Sequence, residues 1–143
     1  MSTTPLSVTM KLINDKLQFA ASSRDNAPIS IDNAPPFGDG QGYLPTELFL
    51  VSLMACSGST IVSLLRKKRK TVVSFSMSAR GFKREEHPAI FERVELQCDL
   101  VSPDATDEDM RRCIELTEEK YCPVWAMVKG NVEVECSFSI KSE

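Results

Sequence analysis

The sequence predicts an α+β fold, antiparallel sheets packed around one long central helix, on three observations. Stretches that alternate apolar and polar residues cluster before residue 32 and again after residue 72, so strands are grouped rather than interleaved with helices. Between them, Pro45 to Arg69 is apolar on nearly every face at helical spacing, the pattern of a helix buried in a core. The 143 residues show no internal repeat, and residues 1–143 are expected to form a single domain.

Composition narrows the function. The chain is 42% apolar and 26% charged, with a net charge of -3, which suits a soluble globular protein. That charge argues against nucleic-acid binding, which favours a basic domain. Met1 to Met10 is polar and short, so no leader is expected. The five cysteines (Cys56, Cys98, Cys113, Cys122, Cys136) are odd in number, without a CxxC, and His87 is the single histidine. That set suits free thiols in a reducing compartment and supports neither a disulfide scaffold nor a zinc site. The expected location is the cytoplasm.

Leu48 to Leu65 runs 18 residues without a charge and is followed by Arg66-Lys67-Lys68-Arg69-Lys70, the flank of a membrane-spanning helix. Six of the 18 are serine, threonine or glycine, and amphipathic strands lie on both sides. A buried helix is expected, with no membrane partner.

Taken in order, Met1 to Pro5 is a lead-in. Val8, Met10, Leu12, Leu17 and Phe19 alternate with polar residues around Asn14-Asp15, giving two strands and a turn. Ser22 to Asn26 makes a second turn, and Ile29 and Ile31 a third strand, completing a meander. Asn33 to Gly42, rich in proline and glycine, is an aperiodic loop. Thr46 is the expected N-cap of the long helix, with Glu47 in its first turn and the basic run at its C-terminal end as a solvated complement to the dipole.

Val73, Phe75, Met77 and Ala79 mark a strand in which Gly81 is expected to bend the chain. Val94, Leu96, Cys98 and Leu100 mark its antiparallel partner, joined through a charged connector where His87 is a turn residue. Thr106-Asp107-Glu108-Asp109 opens a helix ending near Tyr121. Pro123 then makes Cys122 the N-cap of a short helix, and Val132 to Ile140 is a last strand.

Cys98, Cys113 and Cys136 fall on apolar phases and read as core. Cys122 is open between packing and reactivity, because a helix N-terminus lowers a thiol pKa. Cys56 lies mid-helix, where core packing is the ordinary reading, but Ser57-Gly58-Ser59 leaves room for a ligand or another backbone.

Pro45-x-Glu47-Leu48, Met54-Ala55-Cys56-Ser57 and Cys122-Pro123-Val124, in this order around a strand pair, resemble the OsmC/Ohr family, of osmotically inducible protein C and the organic hydroperoxide resistance proteins. The resemblance covers almost the whole chain. It implies an OsmC-like fold, an intertwined homodimer and a thiol peroxidase that reduces organic hydroperoxides without a cofactor. Cys56 matches the peroxidatic cysteine and Cys122 its resolving partner, with a dithiol reductant closing the cycle. Arg24 resembles the arginine that holds the thiolate ionised.

In the hydroperoxide-resistance members a glutamate directly follows the proline. Here Thr46 stands there and Glu47 follows, turned by about 100° on a helix. That departure keeps a second expectation alive: a non-enzymatic small-molecule-binding or redox-sensing protein.

Overall fold

The computed structural model describes residues 4–142, so the first three residues of the lead-in lie outside the described residues. The fold is α+β, with two three-stranded sheets and one long helix. The chain divides into two compact units, Met1–Phe49 and Leu50–Glu143.

The first unit is the expected meander: β1 (Thr9–Leu12), β2 (Phe19–Ser22) and β3 (Ile29–Ile31), paired antiparallel in that order. Asn14 makes the first turn, its Oδ1 accepting the N–H groups of Lys16 and Gln18. The Ser23 carbonyl closes the second, accepting the Asn26 backbone and side-chain N–H groups around Arg24, which has φ 54°. β1 is exposed along its whole length, Met10 and Leu12 included. The proline- and glycine-rich loop is ordered by Asp32, fully buried, whose carboxylate accepts the N–H groups of Asn33, Asp39 and Gln41. Those bonds, that from Gln41 foremost, hold its carboxyl below the usual range.

Helix α1 (Pro45–Lys67) begins in this unit. Pro45 is its first residue, so Thr46 lies inside the first turn and is not the N-cap expected of it. A proline needs no intrahelical partner there, and its φ is already helical. Glu47 reaches back instead, its Oε1 accepting the Leu44 N–H at 2.8 Å, half of a capping box.

In the second unit α1 buries one stripe, Leu53, Ser57, Gly58, Ile61 and Leu65, rather than its whole circumference; Val51 stays 41% exposed. The stripe packs on a sheet of β4 (Ser74–Lys83), β5 (Phe91–Val101) and β6 (Glu133–Lys141). Ile61 and Leu65 join Cys98, Leu100, Met110 and Cys113 in one core, and Cys136 packs against it, as the apolar phases predict. Gly58 lets β4 approach closely: a β-carbon there would stand 2.9 Å from the Met77 sulfur. Part of the room left by the small residues after Cys56 is thus filled by the protein itself. α1 ends in a Schellman pattern, Lys70 N–H to Leu65 O and Arg69 N–H to Arg66 O, with Arg69 at φ 64° where glycine is usual.

β4 and β5 pair antiparallel as expected. Gly81 does not bend the strand; it stays in register opposite Val94 beneath the Phe91 ring, and the irregularity falls at Phe82/Lys83. β6 corrects the expectation of antiparallel sheets, since it runs parallel to β5 with Leu96 opposite Cys136. The cause is the connection: three helical segments lie between β5 and β6, and such a crossover returns the chain in the same direction.

The first segment, α2 (Asp107–Leu116), has a full capping box between Thr106 and Asp109. It continues as a π-helical turn, Thr117–Tyr121, and then α3 (Pro123–Val128). The basic run after α1 is not simply solvated. Lys68 and Lys70 both pair with the Asp109 carboxylate, at 3.1 and 3.3 Å.

Candidate redox site

Two elements of the second unit bring Cys56 and Cys122 together. Cys56 sits half-buried in the middle of α1. Positions four, seven and eleven residues further on return to the same helix face, so Thr60, Ser63 and Lys67 share its stripe. Cys122 stands where the π-helical turn meets α3. Its N–H donates to Thr117 O at 3.0 Å, and Pro123, lacking an N–H, starts the next helix. The Cys122 sulfur accepts the Trp125 N–H at 3.4 Å, the N-cap bond the sequence predicts, and buried Trp125 anchors the short helix. The Cys56 thiol is also close enough to Cys122 to act on its ionisation.

The expected lowering of the Cys122 pKa does not occur. Cys122 is 2% exposed, and burial, with the neighbouring Cys56 thiol after it, pushes its thiol up to about 11. The N–H groups of Trp125 and Val124 pull the other way, but two neutral donors of a short helix do not outweigh desolvation of a thiolate. Cys122 is therefore a protonated thiol at neutral pH.

A groove of about 320 Å³ lies along α1. Thr60, Ser63, Leu64 and Lys67 line one side, and Tyr121, the residue before Cys122, lines the other. Its walls combine apolar surface with hydroxyls and a cation. The remaining expected site residues lie in the first unit. Arg24 is exposed in the left-handed turn before Asn26, and Glu47 is exposed and bonded to the Leu44 N–H at its own helix start. His87 is exposed in the β4–β5 connector, away from any helix or strand. Among the described residues no group of three or more histidines, cysteines or carboxylates could hold a metal ion.

One feature escaped the sequence reading. Cys98 and Cys136, both assigned to the core, place their sulfurs 3.7 Å apart. Alternation put both on apolar phases, but only the parallel pairing of β6 makes them neighbours.

A family model for OsmC-like proteins matches residues 38–137. The chain belongs to the OsmC-like family. Protein YhfA of Escherichia coli (strain K12) is 31% identical over 96 residues, 67% of this chain and 72% of that protein. A hypothetical protein from Aquifex aeolicus superposes with a TM-score of 0.84 at 29% identity, over 97% of this chain and 98% of the other. An organic hydroperoxide resistance protein OsmC from Legionella pneumophila superposes with a TM-score of 0.74 at 17% identity, over 97% and 99% of the two chains. That last likeness is one of fold. The family match extends into both compact units, including α1, Cys56 and Cys122.

Proposed function

We propose that this OsmC-like chain is a cytoplasmic, thiol-dependent organic hydroperoxide reductase, folded as one domain over residues 1–143. The neighbouring thiols Cys56 and Cys122 carry the reading. Cys56, as thiolate, attacks the distal peroxide oxygen; the O–O bond breaks, an alcohol leaves, and Cys56 becomes a sulfenic acid. The Cys122 thiol attacks that sulfur, water departs, and a Cys56–Cys122 disulfide forms. A dithiol reductant restores both thiols by exchange, so no cofactor takes part. Arg24 is assigned to holding the Cys56 thiolate, and Glu47 to supporting it in place of the carboxylate displaced by Thr46. The groove beside Tyr121 suits an alkyl chain better than hydrogen peroxide.

The chemistry has a direct test. Wild-type protein, given a small alkyl hydroperoxide and a dithiol, is expected to consume peroxide catalytically and to form the Cys56–Cys122 disulfide when the dithiol is withheld. Full consumption by Cys56→Ser would sink the proposal.

A second reading, a small-molecule-binding or redox-sensing protein without turnover, is favoured by one observation. Glu47 is already engaged at the Leu44 N–H, as an ordinary helix-start carboxylate would be. Stoichiometric oxidation with no dithiol-driven cycling would select it.

The proposed partner is a second copy of the chain, as a homodimer. Along α1 and β4 runs a groove of about 620 Å³ lined by Val51, Met54, Val62, Phe75 and Met77. In the first unit, taken by itself, β1 exposes Met10 and Leu12. Exposed apolar surface of this extent in a small chain fits an interface. α1 is long and apolar enough to cross a membrane by length and composition, yet Leu53, Ile61 and Leu65 are fully buried in the chain. The expected results are a dimeric mass by light scattering and recovery in the soluble fraction without detergent.

A further inference from the structure

Three of the five cysteines take no part in the proposed cycle, and two of them touch. Cys98 is fully buried in β5; Cys136 is half-buried on β6, which lies at the edge of its sheet. Leu96 is opposite Cys136, so Cys98 is the diagonal neighbour two residues along, on the same face. Their sulfurs, 3.7 Å apart, share a thiol hydrogen bond.

We propose that Cys98 and Cys136 form a second oxidisable dithiol, a modification site separate from Cys56 and Cys122, which a hydroperoxide converts into an inter-strand disulfide. Cys136 is the nucleophile, being the more accessible of the two thiols. Its thiolate attacks the distal oxygen of the hydroperoxide, the O–O bond breaks, and an alcohol leaves as Cys136 becomes a sulfenic acid. The Cys98 thiol then attacks the Cys136 sulfur; the S–S bond forms, and the hydroxyl departs with the thiol proton as water. Two thiols are oxidised and one peroxide is reduced to alcohol and water.

The division of labour agrees with the electrostatics. The bond to Cys136, and burial after it, push the Cys98 thiol up and keep it protonated, while the same bond draws Cys136 down. Closing the sulfurs to bonding distance, about 2.05 Å, requires a shift of the diagonal pair. β6 is the strand to supply it, since among the described residues β5 is its one neighbour in the sheet.

The test uses the full-length Cys56→Ser/Cys122→Ser variant, whose remaining thiols are Cys98, Cys113 and Cys136. Its folding is checked by near-ultraviolet circular dichroism. After cumene hydroperoxide treatment under native conditions and alkylation in denaturant, one free thiol is expected. A non-reducing digest should link the Cys98 and Cys136 peptides, and dithiothreitol should restore all three thiols. Three thiols left after treatment, or a link through Cys113, overturns the proposal. If the double variant does not fold, the same digest of wild-type protein decides: a Cys98–Cys136 link supports the assignment, and its absence overturns it. Neither result depends on whether Cys56 turns over peroxide.

Discussion

The Lys68 ammonium stands 3.1 Å from the Asp109 carboxylate, tying the end of α1 to the first turn of α2. Asp109 also accepts the Thr106 N–H and pairs with Lys70. These contacts, the Thr106 bond foremost, hold its carboxyl far below the usual range. A depressed folded-state pKa means stability present above the unfolded value near 3.8 and lost as pH falls beneath it. Asp109→Ala is expected to cost about 1–3 kcal/mol at neutral pH and to flatten the acid limb of stability. Urea unfolding from pH about 7 down to about 3 measures both. An unchanged acid limb would show that other carboxylates govern it.

Gly81 offers a packing test. A β-carbon there would run into the Phe91 ring, within the β4–β5 pair. Gly81→Ala is expected to destabilise by about 1–3 kcal/mol through overpacking. Phe91→Leu in the same chain should recover part of the loss, and a thermodynamic cycle of the two substitutions reads that coupling.

Cys122 predicts alkaline behaviour. Its folded-state pKa of about 11 is above the ordinary 9.0, so its contribution is complete below about pH 9 and lost as pH rises through about 11. Wild-type protein should therefore lose roughly 2 kcal/mol over that range on account of this group. Cys122→Ala should remove that part of the slope. Denaturant midpoints of the two chains at matched pH make the comparison; parallel slopes would refute it.

The roles proposed for the first unit separate cleanly. Glu47→Gln keeps an acceptor for the Leu44 N–H and loses only a charge near the helix start, a cost of about 0.3–1 kcal/mol. If Glu47 serves the helix alone, peroxide consumption changes by less than about twofold. Arg24→Ala, if that guanidinium holds the Cys56 thiolate, lowers kcat/KM by about tenfold or more, equivalent to about 1.4 kcal/mol of lost transition-state stabilisation. Initial rates with a small alkyl hydroperoxide distinguish the two.

Much of this molecule was legible because its signals are local. Alternation located β1 to β3, Thr106 announced its capping box, and Pro123 identified Cys122 as an N-cap. Pro45 carries the same kind of signal for α1, whose first residue it is, and Thr46 is not the N-cap. The failures are non-local. Periodicity says which residues share a face, not which way a strand runs, so the parallel course of β6 and the Cys98–Cys136 contact were invisible. The Cys122 pKa went wrong for a related reason: the helix end was visible in sequence, and the burial that overrides it was not.

The bond from the Trp125 N–H to the Cys122 sulfur makes a thiol the start signal of α3. A hydroxyl or carboxylate cap is chemically permanent, but a sulfur drawn into a disulfide turns toward its new partner and becomes a poorer acceptor. In the proposed cycle the six-residue helix begins at a contact that oxidation erases and reduction rewrites. Its residue Met127, 75% exposed, would carry that change to the protein surface.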